Sequence, residues 1–269
     1  MSILNVTPDS FFDGGHHAEV DAAVRRAWEV VDEGADVLDL GGESTRPGAA
    51  PVSLDEELRR TVPVVERLVK EDYPLPISID TSRHTVARRT LEAGAVIVND
   101  VTGGTREPEI LAVAAEHGAA VVLMHMRGTP QTMQGQTDYR DVVSEVSEAL
   151  RALCDAATAA GIPAERQAVD PGIGFAKTAT DSLRLVSEVG HFEQLARPVL
   201  LGASRKSFLG RLFGQEGDDR LYGSLAVAAW SALRGAHILR VHDVRATRAV
   251  LNVTMALSDT EGGLSDRPT

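Results

Sequence analysis

The chain has 269 residues, and its 27 lysines and arginines stand against 39 aspartates and glutamates, giving a formal net charge of −12. This acidic balance argues against a general binder of nucleic acid or of anionic membranes. The longest apolar runs are far shorter than the ~20 residues that span a bilayer, and no secretion signal is visible. The single cysteine, Cys154, excludes an internal disulfide framework and is typical of a reducing cytoplasm, where we expect this protein.

Short apolar runs, rich in β-branched residues, recur along the whole chain. They are nearly continuous rather than alternating, which is typical of strands buried on both faces of a parallel sheet. The eight runs span residues 3–6, 37–40, 77–80, 96–99, 120–124, 168–170, 198–201 and 237–241.

Longer amphipathic stretches lie between these runs and predict helices. The cleanest apolar stripe, at three- and four-residue spacing, lies within residues 142–157. Ser53 and Glu56 match a capping box at the start of another helix, in which Pro63 is expected to produce a kink or a break. Asp243 is the predicted N-cap of the last helix.

The repeated strand–helix pattern favours an α/β fold, a single (β/α)8 TIM barrel, with an open doubly wound sheet as the alternative. We expect residues 1–258 to form the barrel and the polar residues 259–269 to form a flexible tail. In such a barrel the active site lies at the C-terminal ends of the strands. Those positions hold Asn5, Asp39, Asp80, Asn99, Met124, His125, Asp170, Arg240 and His242.

Acidic and amide side chains end three of the predicted strands. Asp80, Asn99 and Asp170 would meet at one rim, where a buried carboxylate needs a partner. A planar heterocycle with amidine-like N–H groups is one such partner, since a carboxylate can accept two N–H bonds side by side. Asn5 offers an amide oxygen that suits Mg²⁺ together with phosphate oxygens and waters. For each residue taken alone, the alternative is an ordinary turn or helix-cap residue.

Cationic side chains follow the last two strands, where barrels commonly hold a phosphate. Lys206 lies in a loop of residues 202–210, and strand alternation sends Arg240 and His242 to one side as a clamp for a polyphosphate. Arg46, in a loop bounded by glycine and proline, is expected to meet an anionic group when that loop closes over substrate. A solvated surface position remains the alternative for Lys206 and Arg46.

Eight sequence blocks, in this order, resemble the dihydropteroate synthase family. They are ILNVTPDSFFDGG from Ile3, DLGGESTRPG from Asp39, SIDTS from Ser78, ND at 99–100, LMHMRGTPQTM from Leu123, DPGIGF from Asp170, SRKS from Ser204 and RVHD from Arg240, and together they cover essentially the whole chain. The resemblance implies a TIM barrel that joins 4-aminobenzoate to 6-hydroxymethyl-7,8-dihydropterin diphosphate. The products are 7,8-dihydropteroate, for folate biosynthesis, and diphosphate. It also implies Mg²⁺ as cofactor and a homodimer, for which no stripe in the sequence identifies an interface.

The same resemblance implies roles for individual residues. The implied catalytic residues are Lys206, Asp80, Asp13 and Arg46. The implied pterin-binding residues are Asp80, Asn99, Asp170, Lys206, Met124 and Met133. The implied diphosphate-binding residues are Asn5, Arg240 and His242, with Asn5 also a ligand of Mg²⁺. The implied 4-aminobenzoate-binding residues are Thr45, Arg46, Phe175 and Ser207. The implied reaction is dissociative, and the neutral arylamine acceptor then needs no strong base.

Two other functions fit a pterin-binding barrel. A methyltetrahydrofolate–corrinoid methyltransferase would share the pterin site but needs no diphosphate clamp, so SRKS and RVHD favour the synthase. A catalytically silent barrel is the second, and the intact Asn5 and Lys206 argue against it. Phe12, where the family commonly has serine, leaves open a sulfonamide-insensitive variant. Because the chain begins almost at its first strand, we also expect the barrel floor to be covered differently from relatives with an upstream segment.

Overall fold

A computed structural model describes residues 1–6, 15–44 and 48–260. Each predicted apolar run overlaps one strand of the structure, which confirms the α/β prediction. The strands are β1 (Ser2–Asn5), β2 (Leu38–Gly41), β3 (Ile77–Asp80), β4 (Ile97–Asp100), β5 (Ala120–Met124), β6 (Gln167–Asp170), β7 (Leu200–Leu201) and β8 (Ile238–Leu239).

The strands follow one another around a closed barrel. β1 to β6 form one parallel sheet in sequence order, and β7 pairs in parallel with β8. Single parallel bridges join the two sheets at both seams, Val169 with Val199 and Ser2 with Val241. At the second seam the N–H of Ile3 donates to the carbonyl of Val241 at 3.0 Å. This ring of eight strands excludes the open doubly wound sheet and brings all strand C-termini to one rim.

Helices cover the outside of the barrel. They are α1 (Gly15–Asp32), α2 (Leu54–Lys70), α3 (His84–Ala93), α4 (Glu109–Glu116), α5 (Val142–Ala159), α6 (Ala179–Ser187), α7 (Ser207–Phe213), α8 (Arg220–Leu233) and α9 (Val244–Thr260). Their apolar faces and the outward side chains of the strands form the main core, with Leu40, Ile79 and Leu150 at its centre. Among the described residues, no helix is long and apolar enough to cross a membrane.

A second, smaller apolar cluster lies mainly among the later strands. It consists of Val122, Ala168 and Leu200, with Ile97, Ile238 and Met1 packed against them. Because alternate side chains of a strand point to opposite faces, these residues fill the lower interior of the barrel and leave its upper rim to polar groups.

Helix α2 differs from the prediction at its N-terminal cap and at Pro63. The Ser53 hydroxyl accepts from the N–H of Glu56 as expected, but the Glu56 carboxylate binds two arginines of the following turn instead of completing a capping box. Pro63 does not divide the helix. Buried Thr61 before the missing N–H, and Val64 and Val65 after it, anchor the helix on the core, which offsets the cost of about 3 kcal/mol for an interior proline.

The C-terminal boundary also differs slightly from the prediction. Helix α9 continues to Thr260, two residues into the segment expected to be a tail. Residues 261–269 lie outside the described part of the chain.

Candidate active site

Neighbouring strands present polar side chains in register at the C-terminal rim. Asn5, Gly41, Asp80 and Asn99 are successive partners on β1 to β4. A Cβ placed on Gly41 would lie 3.5 Å from Oδ1 of Asn5 and 3.7 Å from Oδ2 of Asp80. The two oxygens therefore face one common space, which a side chain larger than glycine would fill.

Arg240 joins both sides of this rim. It follows β8, and its guanidinium donates to Oδ2 of Asp39 and to Oδ2 of Asp80, at 2.6 Å each. Asp39 also accepts from the hydroxyl of Ser78 at 2.7 Å and from the side-chain amide of Asn99 at 3.0 Å. The Asp39 side chain is fully buried, and a buried anion requires this many partners. One polar network thus links β2, β3, β4 and the end of β8.

The network sets the charge states of its members. Burial raises the pKa of Asp80 to about 7, against the opposing influence of Arg240. Burial by itself would lower the pKa of Arg240, but Asp39 and Asp80 raise it above its ordinary value. Arg240 therefore stays charged, and the carboxyl group of Asp80 is the member that changes charge near neutral pH.

Asp170 and Lys206 form the other half of the rim. Asp170 ends β6, and its Oδ1 accepts from the N–H of Gly172 at 2.7 Å. Lys206 immediately precedes α7, where its Nζ contacts the carbonyl of Ile173 and lies 4.4 Å from the centre of the Phe175 ring. Burial raises the pKa of Asp170 and lowers that of Lys206 to about 8, and each charge opposes the shift of the other. A carboxylate and an ammonium group thus face the same loop.

The two motifs that carry the predicted cations are tied to each other. Oγ of Ser204 lies 3.2 Å from the backbone nitrogen of His242 and 3.1 Å from its Nδ1. Arg205 donates two hydrogen bonds of 2.8 Å to the carboxylate of Asp243. Its φ of 56° is uncommon for a non-glycine residue and turns the chain between Ser204 and Lys206. Asp243 directly precedes α9, as predicted for a cap, and its carboxylate also fastens the two loops together.

The structure does not bring Arg240 and His242 together in the clamp that their alternation suggested. Arg240 turns to the acidic residues of the barrel interior, whereas His242 contacts Ser204. Their joint role at a diphosphate therefore stays a prediction.

The other predicted site residues differ in exposure. Met124 and Met133 are almost fully buried, Phe175 is half-buried and Ser207 is exposed at the start of α7. Asp13, Thr45 and Arg46, together with Phe12, lie outside the described residues.

Sequence reasoning missed the importance of three buried residues. Asp39 and His125 were named only as strand-end residues, and Lys177 was not singled out. Asp39 could have been recognised from its place inside an apolar run, because a charged residue in a buried strand needs a buried partner. Asn99 and Asp100 are adjacent at the end of β4, and the structure separates their roles. Asp100 accepts from two backbone N–H groups of its own turn, while Asn99 belongs to the rim network.

The donors at the rim suit a hard cation only in part. Within the described ranges, no group of three or more histidine, cysteine or acidic residues can hold a metal ion. Mg²⁺ commonly takes one or two protein oxygens and completes its shell with phosphate oxygens and waters. Oδ1 of Asn5 is such an oxygen, and it faces the space shared with Asp80. The residues therefore fit Mg²⁺ that arrives with a phosphate-bearing substrate.

A cavity of about 360 Å³ continues from Asp80 beneath the loops that follow β3, β4 and β5. Thr81, Val101, Arg106 and Met126 are among the residues of its wall. The rim thus opens into a space of the size that a small planar ligand needs.

Comparison with known proteins identifies the relatives of this arrangement. A family model described as "Pterin binding enzyme" matches residues 1–242. The chain is similar to the dihydropteroate synthase of Synechocystis sp., with 48% identity over 96% of this chain and 89% of that protein. It is also similar to the structure of Xanthomonas albilineans dihydropteroate synthase with 4-aminobenzoic acid, with 46% identity, a TM-score of 0.89 and coverage of 96% and 92%. The Yersinia pestis dihydropteroate synthase in a sulfonamide drug complex has 40% identity, a TM-score of 0.89 and coverage of 97% and 93%.

Proposed function

Since this chain belongs to the pterin-binding enzyme family, we propose that its rim network carries out the dihydropteroate synthase reaction. The enzyme is a transferase that joins 4-aminobenzoate to 6-hydroxymethyl-7,8-dihydropterin diphosphate and releases diphosphate. The observation that carries the proposal is the meeting of Asp80, Asp170, Lys206 and Arg240 at one rim. The chain supplies there both the anions that hold a pterin and the cations that hold a leaving diphosphate.

The pterin lies between the two halves of the rim. Among the described residues, Asp170 makes no ion pair, so its carboxylate is the one available to accept two adjacent N–H groups of the ring. Lys206 donates to ring acceptors from the opposite side, next to the Phe175 ring. Asn99 and Asp80 make the remaining hydrogen bonds to the pterin at the β3–β4 edge. The hydrogen bond from Arg240 holds the Asp80 side chain in position.

The diphosphate lies toward Asn5 and His242. Oδ1 of Asn5 would hold Mg²⁺, which when bound neutralises the charge that develops on the departing diphosphate. Arg240 contributes a permanent positive charge nearby, because its pKa is raised by its two carboxylate partners. His242 is oriented by Ser204 and can donate to a phosphate oxygen when protonated.

The bond between the exocyclic methylene and the diphosphate oxygen breaks first, and the electron pair leaves with the diphosphate. The electron-rich dihydropterin ring carries the resulting positive charge, and the buried carboxylates of Asp80 and Asp170 stabilise it. The neutral amine of 4-aminobenzoate then attacks the methylene, and the new C–N bond leaves one proton on the nitrogen, which passes to the released diphosphate or to water. Positioning and electrostatics supply most of the rate, since the amine is a competent nucleophile without a base.

The decisive assay supplies the purified chain with pterin diphosphate, 4-aminobenzoate and Mg²⁺ and measures 7,8-dihydropteroate. Lys206→Ala is expected to lower kcat/KM by about 100-fold, because one buried charged donor is lost. Lys70→Ala, on the exposed surface of α2, is the matched control and keeps full activity. Wild-type protein that binds pterin but forms no product would leave the catalytically silent barrel as the better description. Methyl transfer to a corrinoid protein would favour the methyltransferase alternative.

We also propose that sulfonamides compete with 4-aminobenzoate for the subsite beside Phe175 and Ser207. The Yersinia pestis relative has a structure with a sulfonamide drug, which supports this expectation. Phe12 is the position where this chain departs from the common family residue, and an insensitive variant is the alternative. The ratio of the sulfonamide inhibition constant to the KM for 4-aminobenzoate, compared between wild type and Phe12→Ser, decides between them.

A cytoplasmic homodimer completes the proposal. Exposed side chains on α8 share one face at spacings of three and four residues, namely Tyr222, Ala226, Trp230 and Leu233. An aromatic-rich exposed stripe is typical of a protein–protein interface. The sequence pattern alone did not reveal it, because the same helix also carries buried apolar residues.

A further inference from the structure

Lys177 is a buried lysine that the proposed reaction does not use. Its side chain is only 2% exposed, although lysine is almost never fully buried without partners. Its Nζ lies 2.8 Å from the carbonyl of Phe175, 3.0 Å from Nδ1 of His125 and 3.3 Å from the carbonyl of His125. Burial lowers the pKa of Lys177 to about 7, against the opposing influence of Asp170, and the protonated side chain has one hydrogen for each of the three acceptors.

The acceptors of Lys177 belong to two different parts of the rim. His125 directly follows β5, and its backbone N–H donates to the carbonyl of Asp170 at 3.0 Å. Burial, reinforced by the charge of Lys177, lowers the pKa of His125 to about 3, so the imidazole is neutral and its Nδ1 can accept. Phe175 lies in the loop after β6. Lys177 therefore fastens the loop after β6 to the end of β5.

The loop after β6 is closely packed on both sides of the Lys177 contacts. Gly172 has a φ of 69°, and a Cβ there would lie 2.1 Å from the carbonyl oxygen of His125. On the opposite side Lys206 contacts the carbonyl of Ile173 and the Phe175 ring. Phe175 is thus held through its carbonyl by one lysine, while its ring faces the other.

We propose that Lys177 is a positioning residue for the acceptor: it holds the backbone of Phe175 and so sets the ring that forms one wall of the 4-aminobenzoate subsite. The inference rests on the proposed function. Lys177 touches neither substrate, and its influence passes through Phe175. Because Lys177 also interacts electrostatically with Asp170, we expect its loss to act mainly on acceptor binding and only to a smaller extent on the pterin half of the rim.

The first test is Lys177→Met, which keeps the length of the side chain and removes all three donors. We expect the KM for 4-aminobenzoate to rise about tenfold, whereas the KM for pterin diphosphate and kcat change less than about threefold. Lys70→Met makes the same substitution at an exposed site and leaves both constants unchanged. His125→Leu removes one acceptor of the three and gives a smaller change in the same direction. It carries the test if Lys177→Met does not fold.

A double-mutant cycle with Phe175→Ala separates positioning from a general structural role. If Lys177 acts through the Phe175 ring, its substitution has less than about a threefold effect on acceptor KM once that ring is absent. Independent, multiplicative effects would overturn the inference, as would equal losses for both substrates. A wild-type enzyme without product would instead overturn the proposed function, and with it the role of Lys177.

Discussion

Arg240 donates a 2.6 Å hydrogen bond to the carboxylate of Asp80, although the two residues are 160 positions apart in the sequence. The sequence motifs assign Asp80 to the pterin and Arg240 to the diphosphate. Under the proposed function, a substrate that carries both groups would bridge the ion pair that these two residues form. A single substitution in this pair should therefore disturb both halves of the substrate.

Arg240→Met is expected to reduce both activity and stability. It leaves the fully buried Asp39 without its cationic partner, which costs about 3 kcal/mol of unfolding free energy. We expect kcat/KM to fall at least about 100-fold, because the charge at both subsites changes. Denaturant unfolding and steady-state kinetics measure the two effects.

The double variant Arg240→Met, Asp39→Asn separates the two consequences. Removing the unpaired carboxylate should recover part of the lost stability, because an amide is far less costly to bury than a charge. Activity should stay low, since the arginine is still absent. Full recovery of activity in the double variant would contradict a role for Arg240 at the substrate.

The affinity for pterin ligands should depend on pH. Asp80, with a pKa of about 7, must be ionised to accept ligand N–H groups, so binding weakens as the pH falls below that value. Lys206, with a pKa of about 8, must be protonated to donate, so binding also weakens as the pH rises above that value. The dissociation constant of 7,8-dihydropteroate is the appropriate measurement, because this ligand carries no titrating diphosphate.

Two variants assign the limbs of that profile. Asp80→Asn should reduce the acidic limb at the cost of weaker binding, with a remainder from Asp170, whose pKa burial also raises. Lys206→Arg should move the alkaline limb upward because the guanidinium stays charged. A flat profile in the wild type between about pH 6 and about pH 9 would show that neither group titrates in this range.

The ion pair between Arg205 and Asp243 should matter for catalysis more than for stability. Both side chains are partly exposed, so the pair contributes less than about 1 kcal/mol to folding. Asp243→Asn should nevertheless lower kcat/KM about tenfold, because the loops that carry Lys206 and His242 are no longer fastened together. The charge reversal Arg205→Asp with Asp243→Arg should restore part of the activity. Asp218→Asn, which removes a second and fully exposed partner of Arg205, is the control without effect.

The sequence predicted the strands well because most of them are buried on both faces and leave a short, mainly apolar run. It also predicted which residues lie at the rim, because the C-terminal ends of all the strands of a barrel meet at one end of it. It could not assign the partners of Arg240, since that contact crosses the barrel interior to strands far away in the chain. Lys177 escaped notice because nothing in its local pattern distinguishes a buried lysine from a surface one.

Asn5 should set the dependence on Mg²⁺. Asn5→Leu keeps the branching at Cγ but removes the amide oxygen, so the Mg²⁺ concentration at half-maximal rate should rise about tenfold. Asn5→Asp replaces the amide with a carboxylate oxygen and should hold the ion at least as tightly. Calorimetric titration of Mg²⁺ in the presence of diphosphate tests the same point without turnover. Asn252→Leu, on the exposed surface of α9, is the matched control. Identical titrations for Asn5→Leu and wild type would remove this residue from the metal site.

The exposed stripe on α8 should form the interface of a homodimer. Sedimentation equilibrium of the wild type is expected to give twice the chain mass of 28.7 kDa. Trp230→Glu places a charge in the centre of the stripe, where burying it without a partner disfavours association, and should yield monomers. Val96→Glu also adds a charge at an exposed apolar residue, but it lies just before β4, at the opposite end of the barrel from the active site, and should leave the dimer intact. A monomeric wild type, or dissociation by Val96→Glu but not by Trp230→Glu, would place the contact elsewhere.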